Sequence, residues 1–285
     1  MNITIGKSTL INEAIRYWIY NSPYKIGILS LELSASQYMI TMLSREVGYK
    51  ITLIEDPVKA VEFVRTPKVI EARTRLSVDE RDGDLEQVKI QCELLINKYG
   101  CKVLIIDPIQ DLFEGVDMDS QNAFIKWMKT MLKKGVTFNN VCHVRKGGNS
   151  TDKEGKRILR ELNEDSVHGI SAIVKSAGAS VFATRDKYDE CPIRKNITYP
   201  TLGKCRWTGN TGRIEDWYYD LESHTMFDFK SYVEENPTVI PSDFDYDYDP
   251  FDRSLNTKSK KKETSTTFKM EVEELVIPQA IELPE

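Results

Sequence analysis

The chain of 285 residues contains only three histidines, and its five cysteines never approach one another as C-x-x-C. Cys92, Cys101, Cys142, Cys191 and Cys205 are scattered singly. That spacing argues against a zinc ribbon or a disulfide framework and suits small reduced thiols of a cytoplasmic protein. No apolar run reaches the roughly 18 residues needed to cross a bilayer, so no membrane partner is expected. The first residues lack the basic segment and long apolar core of a secretory signal. There is no internal repeat. The net charge of −5 is weak evidence against binding nucleic acid, because it is unevenly placed. Residues 234–285 hold thirteen acidic and six basic side chains, whereas residues 1–233 hold 31 and 33. The acidity belongs to the carboxyl-terminal segment and the body is slightly basic.

What the sequence does have is alternation of apolar strands with amphipathic helices. Leu10, Ile11, Ala14, Ile15, Trp18 and Ile19 follow helical spacing and stop at Asn21-Ser22-Pro23. The run Ile26–Leu31 predicts a strand covered on both faces. A helix is expected from Ala35 to Val47, entered through Ser34 as a cap. Residues 48–80 carry Pro57 and Pro67 and suggest one strand near 69–72. A helix over 85–99 precedes "CKVLIIDPIQDL", a buried strand ending in a carboxylate. A helix near 121–133, a strand near 136–143, a polar loop over 145–165, a helix near 170–177 and a strand near 180–184 follow. Alternating segments at 193–204, 213–219 and 226–229 predict antiparallel strands at one edge. The expected fold class is α/β, a mostly parallel sheet flanked by helices. Residues 1–233 are expected to form this domain, and residues 234–285 an acidic, disordered tail.

Four stretches carry chemistry. Gly6-Lys7-Ser8-Thr9 reads as the second half of a phosphate-binding loop, G-x-x-x-x-G-K-[ST], at the start of a helix. Backbone N–H groups and the helix dipole at such a terminus attract phosphate, with Lys7 reaching the β- and γ-phosphates and Ser8 ligating Mg²⁺. Asp107, ending the "VLIID" strand, stands where a Mg²⁺-directed carboxylate belongs, although many α/β strands end in Asp. Glu32, just past the Ile26–Leu31 strand, could orient the attacking water or simply cap a helix in solvent. His143 closes a third strand, either at the site or as a satisfied core imidazole.

In this order, GKST, "SLELS", "LIIDPIQ", "VCHVRK" and "KCRWTGNTG" resemble the RecA-like, phosphate-loop NTPase domain of DnaB-type replicative helicases. The likeness is greatest to the helicase half of phage primase–helicases and covers about residues 6–229. The resemblance implies a DNA helicase that hydrolyses ATP, or another NTP or dNTP, with Mg²⁺, of 5′-to-3′ polarity. It implies a homo-oligomeric ring, a hexamer, around single-stranded DNA. By it, Lys7, Ser8 and Thr9 are the phosphate-loop residues and Glu32 the catalytic base. Asp107 directs Mg²⁺, Gln110 follows it in a D-x-x-Q pattern, and His143 senses the γ-phosphate. Arg206 is a finger reaching the neighbouring subunit's nucleotide, with Lys204 beside it. Arg185 is a further basic residue near the phosphates, and Tyr219 a ring near the base. Arg145, Lys146, Lys153, Lys156 and Arg157 would hold DNA phosphates. Gly169 and Ser171 lie in a segment resembling the second DNA-facing loop. The location implied is the cytoplasm, that of the host if the source is viral.

One feature departs from the resemblance. Ahead of Gly6 stand only "MNITI", where the pattern requires a strand and the glycine-bearing half of the loop. Ile3 and Ile5 are β-branched in a stretch that calls for tight turns. The expectation is a carboxyl-terminal helicase portion with a central strand missing, two neighbouring strands left unpaired, and reduced nucleotide binding. Two other readings stay open: a helicase-derived protein that binds DNA or a ring without turnover, and a RecA-type recombination ATPase, against which "KCRWTGNTG" speaks. The acidic tail resembles those that dock on a replicative polymerase, so its removal is expected to spare the fold.

Overall fold

The computed structural model describes residues 7–51, 56–65, 70, 76–79, 84–144, 150–151, 157–167, 171–246 and 248–251. Helix α1 (Lys7–Asn21) buries Ile15 and Ile19, four residues apart on one face. It leads into β1 (Lys25–Ser30), buried at every position after Lys25, as a strand covered on both faces must be. Helix α2 (Ala35–Val47) starts with a reciprocal capping box between Ser34 and Gln37. It stops at Gly48, whose φ of 71° suits a residue without a β-carbon.

A short helix α3 (Pro57–Val64) was not foreseen. Pro57 reads as a breaker, yet proline is well suited to the first turn of a helix, and Asp56 accepts the Val58 N–H at 2.9 Å. Strand β2 (Leu76–Asp79) follows; of the strand expected at 69–72, all but residue 70 lies outside the described residues. Helix α4 (Leu85–Asn97) is capped by Asp84, strand β3 runs Cys101–Asp107, and helix α5 (Met118–Lys133) is capped by Asp117. Strand β4 is Thr137–Asn140.

These four strands form a parallel sheet in the order β2-β1-β3-β4. Two apolar layers sandwich it. On one face α1 and α2 pack through Ile15, Ile19, Tyr38 and Met42 against Ile26, Ile28, Val103 and Ile105. On the other, α4 and α5 pack through Val88, Cys92, Leu95, Phe124 and Met128 against Leu29, Leu104 and Ile106.

The second half begins with the short pair β5 (Ser150–Thr151) and β6 (Arg157–Ile158), then α6 (Ser171–Ser176) and β7 (Ala179–Thr184). Strands β8 (Ile197–Cys205), β9 (Gly212–Arg213), β10 (Trp217–Tyr219) and β11 (Met226–Asp228) complete an antiparallel sheet, β11-β10-β8-β7, with β9 also on β8. Helix α7 (Phe229–Glu235) is capped by Asp228. Among the described residues the antiparallel strands do not pair with the parallel sheet, and β4 and β7 each stand at one end of their own. Among the described residues no helix is long and apolar enough to cross a membrane.

The segment expected to open the tail is packed on the body as far as Phe251. Ile240 and Phe251 are buried in a third cluster with Ile193, Ile197, Tyr199 and Tyr218, and Phe244 lies against it. Leu159 donates its N–H to the Pro250 carbonyl at 2.8 Å, and Arg213 lies 3.3 Å from Asp249 and over the Phe251 ring. The acidic composition of "SDFDYDYDPFD" concealed a period-two aromatic pattern that finds apolar and cationic partners only in three dimensions. The rest, 252–285, lies outside the described residues.

Deletion from residue 234 onward is therefore expected to destabilise the domain. As a cleaner measure, Phe251→Ala should cost about 3 kcal/mol, the lower end for a buried phenylalanine. Chemical denaturation should show it as a lower midpoint at unchanged slope. An unchanged midpoint would mean that 236–251 contribute nothing to the core.

Candidate nucleotide and nucleic-acid site

Parallel strands send their carboxyl ends to one edge, and the register of β1 on β3 sets what meets there. Ser30 is level with Asp107, and Leu31 N–H donates to the Asp107 carbonyl at 2.9 Å. Asp107 is thus fixed at the mouth of the sheet, 8% exposed, and Glu32 emerges two residues beyond β1. After β4 the chain stays along the same edge. Val141 N–H donates to the Ile106 carbonyl at 2.9 Å, and Ile109 N–H to the Val141 carbonyl at 3.0 Å. His143 arrives with its Nε2 3.1 Å from Glu32 Oε1. Gln110, in the single turn after β3, donates through Nε2 to the His143 carbonyl at 2.9 Å. Glu32, Asp107, Gln110 and His143, up to 111 residues apart, converge on one edge.

Helix α1 approaches this edge with its amino terminus. Lys7 is its first residue, Ser8 and Thr9 are half-buried in its first turn, and Gly6 lies outside the described residues. Ser8 and Asn12 are four apart and share a face. Asn12, 4% exposed, accepts a hydrogen bond from the Tyr38 hydroxyl. Burial, and after it the Asp107 carboxylate, push the Tyr38 phenol far above its ordinary value. The Asn12–Tyr38 bond thereby ties the face of α1 bearing Ser8 to α2. The sequence reading missed both residues. The available signal was polar Asn12 continuing the stripe of Ile15 and Ile19 toward Ser8.

The donor set suits a hard cation that keeps water. Among the described residues no group of three or more His, Cys, Asp or Glu side chains forms a closed metal cage. One buried carboxylate, Asp107, and one hydroxyl, Ser8, match the few protein ligands Mg²⁺ takes when phosphate oxygens and waters fill its octahedron.

Two other expected groups have contacts of their own. Arg185 donates through Nε to the Lys195 carbonyl at 2.5 Å and through Nη2 to Asn196 Oδ1 at 2.9 Å, and lies over the Tyr219 ring at 5.9 Å. Burial lowers its proton affinity, and Tyr219 opposes that shift. Tyr219 in turn contacts His224 Nδ1 at 2.5 Å. His224 has a positive φ of 58°, and burial, with Arg45 and Lys50 adding to it, lowers its pKa. Arg185, Tyr219 and His224 thus form one contiguous group. His224, the third member, was not anticipated.

Lys204 and Arg206 cap the end of α6. Lys204 Nζ donates to the carbonyls of Val174 and Lys175 at 3.1 and 3.3 Å, and Arg206 Nη2 donates to the Lys175 carbonyl at 2.7 Å. Cations there complement the carbonyl end of a helix. Arg206 is nonetheless exposed, next to Trp207, which is 78% exposed. Arg145, Lys146, Lys153, Lys156 and Gly169 lie outside the described residues, while Arg157 sits in β6 and Ser171 opens α6. Val144 and Val167 form a bridge at the base of that region.

The same architecture occurs among solved structures. One of them, an ATPase domain, superposes with a TM-score of 0.53 at 15% identity, over 79% of this chain and 81% of that one. A second, a DnaB-like replicative helicase described with its interactions with primase, gives a TM-score of 0.50 at 15% identity, over 78% of this chain. The match spans 56% of that longer chain. No family model matches the sequence. No curated protein matches it either. At this identity the likeness speaks for the fold alone, the α/β fold that the chain shares with these two structures.

Proposed function

We propose that the chain is the motor domain of a DNA helicase, coupling hydrolysis of ATP or a related nucleotide to movement along single-stranded DNA as a ring. The observation that carries this reading is the convergence of Asp107, Glu32, Gln110 and His143 on the sheet edge approached by the Lys7-Ser8-Thr9 end of α1.

In this reading Lys7, the α1 amides and Gly6 hold the phosphates. Ser8 and Asp107 hold Mg²⁺, which when bound neutralises charge on the phosphate oxygens. Glu32 orients the attacking water and accepts its proton. His143, touching Glu32 and tied through its carbonyl to Gln110, reports the state of the site to the segment after Val144. Arg185 and Tyr219 form the platform for the base. Arg206, exposed beside α6, supplies positive charge to the nucleotide of a neighbouring copy, and Lys204 steadies the same turn. Arg145, Lys146, Lys153, Lys156 and Arg157, with Gly169 and Ser171, contact DNA phosphates. The carboxyl-terminal residues beyond Phe251, rather than beyond residue 233, are the candidate hook for a replicative polymerase.

Glu32→Gln should reduce DNA-stimulated phosphate release by at least about 10²-fold while leaving nucleotide binding nearly unchanged. Lys7→Ala should lose both. Arg206→Ala should lower turnover by on the order of 10³-fold at intact binding, because its charge acts across an interface. Equilibrium binding of a fluorescent nucleotide, measured beside steady-state turnover, separates these cases. Should Arg206→Ala weaken binding as Lys7→Ala does while turnover persists, its assignment between subunits is wrong.

Charge reversal at Arg145, Lys146, Lys156 and Arg157 should weaken single-strand binding and flatten its salt dependence, since fewer counterions are released. Titration at several salt concentrations measures this. An unaltered slope would remove these residues from the DNA interface.

A further inference from the structure

The turn between β10 and β11 holds a residue in an unfavourable conformation. Among the described residues His224 is the one non-glycine with a positive φ, 58°. In that region a β-carbon crowds the following carbonyl, so glycine or asparagine is the usual occupant. The turn enforces the conformation. Asp220 accepts the Ser223 N–H at 2.8 Å and its hydroxyl at 2.6 Å, and the Asp220 N–H donates to the Thr225 carbonyl at 2.9 Å. Ser223 and Thr225 are both buried. Every other positive φ in the described chain belongs to a glycine, so a histidine here calls for a reason. Strained backbone of this kind clusters where the side chain so placed has a task.

What the conformation achieves is contact with Tyr219. His224 Nδ1 lies 2.5 Å from the Tyr219 hydroxyl, with the rings tilted at 42° and their centroids 6.2 Å apart. A tyrosine held only at its β-carbon can turn about two side-chain torsions, and a bond at the far end of the ring removes that freedom. The Arg185 guanidinium, 5.9 Å from the same ring, is fixed in turn by the Lys195 carbonyl and by Asn196, which is 4% exposed. Ring and guanidinium are thus each secured from another part of the chain. Burial first, then Arg45 of α2 and Lys50 just past it, hold the imidazole below its ordinary proton affinity, against Asp220. Glu13 of α1, which acts on Tyr219, is engaged by Arg45 and the Met226 N–H. Burial above all keeps the proton on the Tyr219 phenol. A protonated phenol beside a neutral Nδ1 donates to it.

We propose that His224 is a positioning residue for recognition of the nucleotide base: its Nδ1 accepts the Tyr219 hydroxyl and so holds that ring beside the Arg185 guanidinium, ready to stack on a base. The inference rests on the function proposed above, in which Arg185 and Tyr219 receive the base. A ring already aligned spares the ordering cost that binding otherwise bears. On protonation Nδ1 becomes a donor, the phenol can no longer donate to it, and the bond must reverse or break. Affinity therefore holds at neutral pH and falls as the pH drops through the imidazole's depressed range, below about 6.5. Stability runs the same way. The unfolded chain, with the higher imidazole pKa, binds more protons in that window, so stability declines as the pH is lowered through it.

The test titrates a fluorescent ATP analogue into the full chain from about pH 5.5 to 8, beside chemical unfolding of each variant. His224→Gly relieves the backbone and removes the acceptor. It should leave the unfolding midpoint equal or higher, yet weaken analogue binding about three- to tenfold at neutral pH, the range of one hydrogen bond. His224→Asn tolerates the same backbone and keeps an oxygen acceptor, so it should retain most of the affinity and lose the acid dependence. Tyr219→Phe should match His224→Gly, and the double variant should bind no more weakly than either single one. Tyr219→Ala separates the two ideas. Unaltered affinity there would sink the role of Tyr219 in the proposed function, whereas weakened binding there beside an unaffected His224→Gly would overturn the positioning role alone. A lowered midpoint in His224→Gly, additive losses in the double variant, or acid dependence surviving in His224→Asn would overturn it as well. No measurable binding by the unaltered chain at any pH would fell the function and this inference together.

Discussion

The parallel pairing of β1 with β3 is the constraint on which the candidate site depends. It sets Ser30 level with Asp107, so Glu32 and Asp107 leave the sheet at the same edge. It also fixes the ladder along which the chain past β4 brings His143 to Glu32. A slip of one residue would turn every side chain of a strand to the opposite face, exchanging the apolar sets that meet the two helix layers. Because both faces are covered, such a slip would mismatch two packed interfaces at once, and the register is correspondingly firm.

Helix α1 is held by a different device. Arg45 of α2 is 2% exposed, and its Nε lies 3.1 Å from Glu13 Oε1 of α1. The same carboxylate oxygen accepts the Met226 N–H of β11 at 3.0 Å. One carboxylate thus ties α1, α2 and the antiparallel sheet together. Removing one member of such a buried pair typically costs about 3–5 kcal/mol, since the other charge is left without compensation. Arg45 also opposes protonation of His224 and favours the ionised phenol of Tyr219, although burial is the larger influence on both. Helix α1 and the Tyr219–His224 pair therefore share one electrostatic anchor.

Much of the candidate site was legible because its residues sit at element boundaries, which sequence marks well. Asp107 ends an apolar run, Ser34 opens an amphipathic one, and Lys7 stands at a helix start. The partners of Arg185 were not legible because a guanidinium goes wherever buried acceptors lie, and the Lys195 carbonyl and Asn196 are 10 and 11 residues away in sequence. Helix α3 was obscured by a proline that starts a helix, and α7 by its shortness. The packing of Ile240, Phe244 and Phe251 was hidden beneath acidic composition, which reports solvation on average and not the path of the aromatic rings.

From the sequence alone came the α/β class, the order of most elements, the buried strands and the identity of the residues carrying oxygen and cationic chemistry. Those properties are local: hydrophobic period, capping side chains and turn residues act within a few positions. Tertiary structure alone decided that Glu32 meets His143, that Tyr38 bonds Asn12, and that Arg185 lies over Tyr219. It also decided that, among the described residues, β4 and β7 stand at the ends of two separate sheets. Each of these is a contact between segments far apart in the chain, set by strand register and crossover hand, which no local pattern encodes.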